Sequence, residues 1–282
     1  MPHKGLKPVN SFGPFNLGKT REGGESMSSI YQHFRPDEKE FVDAVLQWKQ
    51  TVEDQYTGKR TDFLDLRQQH IVESIIGQND EIILSFYPEN AERKRALLYP
   101  PYFQPAEEDF GIRLFEIQYP SKFVTIEHRQ VLGTLMSLGL KRDKFGDILT
   151  GEDTIQLMLA DEIADYVLME LTQIGKAKIS LKDIPLDERM ESREEWQEKT
   201  TTVSSMRLDV VLAAIYNDSR QKAQTLIKSG HVKVNWKAVE NPSFEVEASD
   251  VLSARGYGRS KVLSIEGRTK RDKWRISVGI LK

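Results

Sequence analysis

The sequence predicts an α+β protein built from several small domains in series. Apolar residues at helical spacing alternate along the chain with short period-two or wholly apolar runs, which read as strands. At 282 residues the chain is long enough for two or three separate cores. Charge is also unevenly spread within a total of −3. From Met206 on there are 15 Lys+Arg and 8 Asp+Glu, a net of +7, against 25 and 35, a net of −10, before it. That asymmetry points to a nucleic-acid-binding module carried on a more acidic body.

Several chemistries are excluded at once. There is no cysteine, so disulfides, thiolate zinc sites and iron–sulfur clusters are out. The five histidines, at positions 3, 33, 70, 128 and 231, show no metal-ligand spacing, and no cofactor is implied. No run approaches the ~18 apolar residues of a membrane span, and no signal peptide is recognisable. The expectation is a soluble cytoplasmic protein.

Taken in order, residues 1–26 are rich in Gly, Pro, Lys, Ser and Asn without an apolar period, and are expected to be a disordered extension. Met27 looks the more natural start. A first helix is expected from Pro36, with Asp37, Glu38 and Glu40 at its positive dipole end and Phe41, Val42, Val45, Leu46 and Trp48 as its apolar face. A second helical segment is expected from Thr61 to about Ile75, then strands at Glu81–Tyr87 and Ala96–Tyr99, with the basic Arg93-Lys-Arg cluster read as solvated surface. These readings define an N-terminal α/β domain over 27–92.

Residues 93–185 form the expected middle domain. Ile112–Tyr119 alternates as a strand, and Thr125–Leu138 is a helix on Val131, Leu132, Leu135 and Leu138. Phe145–Leu149 and Ile155–Leu159 are strands, Asp161–Gln173 a helix and Ala177–Leu181 a strand. The order β-α-β-β-α-β is that of the ferredoxin-like unit also used by RRM domains, although the aromatic RNP motif is not found. Lys141, Arg142 and Lys144 fit either an RNA contact or plain surface, and His128 a structural hydrogen bond. Residues 186–205, polar and acidic around Trp196, are expected to be a connection.

The last stretch, 206–282, is the most informative. Leu208, Val211, Leu212 and Ile215 make one helix stripe. Ser219 is the N-cap of a second helix, whose stripe is Ala223, Leu226 and Ile227 and whose C′ residue is Gly230. His231–Asn235 then alternates as a strand. Arg220, Gln224 and Lys228 recur every four residues, a slanting row beside the core face. Packing the helices through Leu208, Leu212, Ala223 and Ile227 would present Arg207 and Arg220 to one RNA backbone. Asp209 is either a dipole-favoured acid or an orienting partner for a nearby Arg.

The motifs R-L-D at Arg207–Asp209, S-R-x-x-A at Ser219–Ala223, L-I-x-x-G-x-V-x-V-N at Leu226–Asn235 and R-G-x-G-R at Arg255–Arg259 resemble the S4 (αL) RNA-binding domain. With Y-Q-H-F-R at Tyr31–Arg35 and the His128–Ile148 stretch, the chain from Met27 resembles the YlmH-type S4 proteins. The resemblance implies an RRM-like middle domain and a factor of bacterial ribosome-associated quality control. Its expected partners are large-subunit rRNA, P-site tRNA and a quality-control elongation factor, with no membrane partner. The candidate RNA-binding residues are Arg207, Asp209, Ser219, Arg220, Lys222, Lys228, Lys233, Asn235, Lys237, Arg255, Gly256, Arg259 and Lys261. The two helices and the following β-turn are expected to form one RNA-facing surface.

The rival readings are an S4-bearing RNA-modifying enzyme of the pseudouridine synthase type and a protein-interaction scaffold. The chain's R-L-D lies in the S4 helix, and no nucleotide-binding signature is present. No catalytic residue is therefore expected. Deleting residues 1–26 is expected to leave the melting temperature unchanged, which thermal melts of the two chains would check.

Overall fold

The structure, a computed structural model, describes residues 30–77, 81–192 and 195–281. The expected disordered extension and the start at Met27 lie outside these residues. Contacts divide the chain into two units, one of residues up to Leu64 with Ile71–Ser192, the other of Asp65–His70 with the residues after Ser192. None of the described helices is long and apolar enough to cross a membrane.

The first part of the chain supplies α1 (Lys39–Gln55), β1 (Lys59–Leu64), α2 (Leu66–Ile76), which counts with the first unit from Ile71 on, β2 (Ile83–Tyr87) and β3 (Lys94–Tyr99). The strands pair antiparallel in the order β1-β3-β2. Thr61–Leu64, expected as the head of a helix, is a strand. An irregularity between Arg60 and Phe63 breaks the alternation of β1. Phe63 enters one core and Leu64 another, so the period-two signal is lost. The boundary expected at 92/93 also moves, because β3 completes this first sheet rather than opening the next domain.

The middle of the chain supplies β4 (Ile112–Gln118), α3 (His128–Ser137), β5 (Phe145–Thr150), β6 (Ile155–Ala160) and α4 (Asp161–Glu170). A small hairpin of β7 (Gln173–Ile174) with β8 (Ala177–Lys178) and the strand β9 (Ser180–Ile184) follow. The expected strand at Ala177–Leu181 is thus split between the hairpin and β9. The sheet order β5-β6-β4-β9, all antiparallel, is the ferredoxin-like order.

One face of that sheet, through Phe115, Phe145 and Leu157, packs on Val131 and Leu135 of α3 and Ala164 and Val167 of α4. The other, through Leu114, Met158, Ala160 and Ile184, packs on Phe63, Leu97 and Tyr99 of the first sheet. Gly146 sits at this junction, where a Cβ would lie 2.8 Å from the Phe63 ring and 3.1 Å from Met158 Cβ. The face with which an RRM reads RNA is therefore covered.

Charges sew the same junction together. Arg93 and Arg95, expected as solvated surface, are buried. Arg93 donates to Phe63 O, and Arg95 binds Thr61 O, Gly111 O and both oxygens of Glu162, at 3.1 and 3.0 Å. Burial pushes the Glu162 carboxyl up, but hydrogen bonds led by the one from Arg95 outweigh it and hold its pKa at about 2. Lys144 binds Asp62 at 2.6 Å, and Arg142 donates to Phe145 O and Gly146 O. Two of the three basic candidates in this segment are thus structural. Asp147 accepts the backbone N–H of Glu92 and Arg93, so it too is a structural group.

The second unit contains β10 (Trp196–Val203), α5 (Leu208–Tyr216), α6 (Arg220–Lys228), β11 (Val232–Val234), β12 (Lys237–Ala238), β13 (Val251–Ala254), β14 (Gly258–Arg268) and β15 (Trp274–Leu281). Its sheet runs β10-β15-β14-β13-β11-β12. Leu208, Val211, Leu212, Ile215, Ala223 and Ile227 of the helices meet Val232, Val234, Leu252, Val262, Ile276 and Val278 of the strands in one core.

The expected connection at 186–205 is corrected here. Trp196–Val203 is the edge strand of this sheet, paired with β15 from Trp196↔Leu281 to Val203↔Trp274. Its polar side chains face solvent on an edge, so the segment carries little apolar signal. A fragment beginning at 206 lacks this strand and the burial of Val203, about 2 kcal/mol by itself. The 206–282 fragment is expected to melt roughly 10 °C below one beginning at 195, a comparison that thermal denaturation followed by circular dichroism makes directly.

Candidate nucleic-acid interface

The site is built around a carboxylate. Leu208 and Leu212 pull the first turn of α5 onto the core, and Asp209 goes inside with them, fully buried. An ionised carboxylate is tolerated there only when its oxygens are satisfied. Arg207, the residue before α5, donates Nε to Oδ1 at 3.1 Å and Nη2 to Oδ2 at 3.2 Å. Arg220, heading α6, donates Nε to Oδ2 at 2.9 Å, and Gln224, one turn on, donates Nε2 to the same oxygen at 2.6 Å. Burial pushes Asp209 up, but the hydrogen bonds from Arg207, Gln224 and Arg220 outweigh it and hold the pKa at about 2.

The carboxylate thus orients two guanidiniums that would otherwise repel each other. Arg207 is 39% and Arg220 53% exposed, and each commits only part of its five N–H donors to Asp209. Ser219 acts as the expected N-cap, its Oγ accepting the Lys222 N–H at 3.2 Å. Lys228 ends α6 exposed. The expected convergence of Arg207 and Arg220 is observed.

Other candidates are committed to the fold. Lys222 binds Asp218 at 2.6 Å and lies over the Tyr257 ring, and Tyr257 donates its hydroxyl to Asp218. Hydrogen bonding to Asp218 raises the Lys222 pKa above its usual range. Asn235 is a turn residue: its Nδ2 donates to Asp250 at 2.8 Å and its Oδ1 accepts the Val251 N–H at 2.9 Å. Gly256 has φ +87° in the β13–β14 turn, a left-handed conformation that favours glycine. Beside it Arg255 Nη1 lies 3.2 Å from His231 Nε2.

Strand register divides the remaining basic candidates between the two faces of the sheet. Paired residues share a sheet face. Lys233 pairs with Ser253, Ser253 with Arg259, and Val251 with Lys261. Val232, Val234, Leu252 and Val262 alternate with them and face the helices. Lys233, Arg259 and Lys261 therefore lie on the sheet face turned away from Arg207 and Arg220. There Lys261 Nζ stands 4.3 Å and Arg259 5.8 Å from the Trp196 ring, a cation–π cluster.

Comparison with known proteins agrees with this architecture. The family model of the YlmH RNA-binding domain matches residues 105–188, and the S4 domain model matches residues 206–252. Ribosome-associated protein quality control protein P2 of Bacillus subtilis (strain 168) is 50% identical over 252 residues, covering 89% of this chain and 98% of that protein. The chain belongs to the YlmH family.

A solved relative of this YlmH-family chain, cell division protein ylmH from Streptococcus pneumoniae, is 31% identical with a TM-score of 0.52. The match covers 57% of this chain and 99% of that one. Small ribosomal subunit protein uS4 of Thermoanaerobacter sp. (strain X514) is 45% identical over 58 residues, which are 20% of this chain and 28% of uS4. Residues 206–252 of this family member are thus an RNA-binding S4 domain. Sequence reasoning placed Gln224 in the basic row without seeing that it binds Asp209, and it passed over Tyr257, Asp218 and Trp236. No local pattern separates such residues from ordinary surface.

The low pKa of Asp209 has a definite sign. Its ionised form stabilises the fold fully above the ordinary carboxylate value of 3.8, and that contribution is lost as pH falls through about 2. Asp209→Asn is expected to be less stable than wild type by about 1–3 kcal/mol at neutral pH. Urea melts of both proteins should show that difference constant down to about pH 4 and shrinking below it.

Proposed function

We propose that this chain is an RNA-binding factor that associates with the large ribosomal subunit and peptidyl-tRNA of stalled complexes in the cytoplasm. There it assists template-free elongation of the nascent chain, alongside a quality-control elongation factor, without catalysing a reaction itself. The observation that carries the reading is the pair of exposed guanidiniums, Arg207 and Arg220, set on one buried carboxylate. Two oriented Arg forks can hold consecutive or shared phosphates bidentately, which a scattered basic surface cannot do. The Bacillus subtilis relative, matched over nearly its whole length, is named for ribosome-associated quality control.

The middle domain contributes differently. Its sheet face is covered by Phe63, Leu97 and Tyr99, so in this reading any RNA it takes lies off that face, and the paired guanidiniums belong to the S4 domain. The rival reading as a pseudouridine synthase needs an accessible catalytic Asp. The R-L-D carboxylate is fully buried and engaged by three side chains, which makes it a positioning group.

Arg207→Ala and Arg220→Ala are each expected to weaken co-sedimentation with purified large subunits by about ten-fold or more, the worth of a charge-assisted hydrogen-bond pair. Circular dichroism at about 25 °C should remain native for both, with a lower melting temperature because each loses a partner of the buried Asp209. Wild-type co-sedimentation by both folded variants would move the RNA contact elsewhere.

A further inference from the structure

The hairpin of β11 and β12 turns through two residues, Asn235 and Trp236, between the paired Val234 and Lys237. Both have positive φ, 47° and 65°. That is the pattern of a type I′ turn, whose second place is normally filled by Gly. A bulky residue with left-handed φ is strained, and such strain clusters where it serves function. The Trp236 side chain is 42% exposed and does not join the core of its unit. The other tryptophans are committed: Trp48 packs edge-on to Phe41, Trp196 lies beneath Lys261 and Trp274 beneath Arg268.

The turn beneath the indole is rigid. Asn235 is held by its backbone N–H to Val251 O at 2.9 Å and by both ends of its amide, one of them to the fully buried Asp250. A flat aromatic ring is thus presented on a fixed platform, so little freedom is lost when a partner lands on it. Exposed lysines precede and follow it in the hairpin, Lys233 and Lys237, on opposite faces of the strand pair because Lys237 pairs with the core-facing Val234, in a domain whose sequence carries a net of +7. An apolar protein groove or a lipid surface would ask for neighbouring apolar side chains. A nucleobase asks for one ring and nearby positive charge, because every base has a π-face and a phosphate on either side.

We propose that Trp236 is a base-stacking anchor that takes an unpaired nucleotide of the bound RNA. The inference rests on the RNA-binding reading above and adds to it a preference for single-stranded or looped-out bases. Lys233 then acts as a point charge on a flanking phosphate, and the indole selects for a base free to unstack.

The test uses the full chain with a labelled stem-loop RNA bearing an unpaired loop, a blunt RNA duplex of equal length, and a salt series. Trp236→Gly relieves the positive φ and is expected to melt no lower than wild type. It should nevertheless bind the stem-loop about ten-fold more weakly, equivalent to ~1.4 kcal/mol. Its salt slope should match wild type, because no phosphate contact is removed, while Trp236→Phe keeps most of the affinity. Lys233→Ala, as the charge control, should instead lower the slope by about one unit. The duplex should be bound alike by wild type and Trp236→Gly. Equal stem-loop affinity for Trp236→Gly and wild type would overturn the proposal and leave the ring for a protein partner. A loss accompanied by a reduced salt slope, or an equal loss on the duplex, would also overturn it. Absence of binding by wild type to either RNA would overturn the RNA-binding reading itself and the inference with it.

Discussion

The second unit depends on one buried carboxylate. Asp209 enters the core because its neighbours Leu208, Val211 and Leu212 must, and once there it has to be satisfied. Satisfying it draws in the side chains at the head of α5 and along the first turns of α6, at positions 207, 220 and 224. The ion cluster therefore ties the two helices to each other at the point where their positive side chains reach solvent. Arg207 and Arg220 owe their common direction to a residue that solvent never touches.

The first unit solves a different problem. A ferredoxin-like sheet has helices on one face and needs something on the other, and here the three-stranded N-terminal sheet fills that place. The junction is close enough that Gly146 meets the Phe63 ring, and Arg95 with Glu162 and Lys144 with Asp62 close its polar edge. A fold known for reading RNA across its sheet is here used as a packing block. Fold likeness alone does not say that this face is covered.

Much of the S4 domain was legible in the sequence because its signals are local. The stripe Leu208–Ile215, the Ser219 cap and the strand after Gly230 each depend on residues within a turn or two of one another, where periodicity and capping chemistry operate. The middle domain was legible for the same reason. Failures came where the deciding contact is distant. Thr61–Leu64 looked helical because Phe63 and Leu64 serve two cores, and alternation vanishes when both faces are buried. Trp196–Val203 looked like a linker because an edge strand is held by backbone bonds to β15, which carry no side-chain signature. Lys222 and Asn235 looked available until Asp218, Tyr257, Asp250 and Val251 were seen beside them.

By itself the sequence determined that the chain is α+β, that its positive charge is gathered at the C-terminal end, and that Arg207, Asp209 and Arg220 belong to an S4-type pattern. Those properties follow from composition and short-range spacing, which folding cannot alter. Only the tertiary structure decided what each charge does. Asp209 became an orienting group because Arg220 and Gln224, 11 and 15 residues away in sequence, reach it. Arg95 became a buried strut, and strand register sent Lys233, Arg259 and Lys261 to the face opposite the helices. Which donors of a cation remain for a phosphate depends on the acids and carbonyls of its own chain within hydrogen-bond reach, and those distances are set by the packing of elements far apart in sequence.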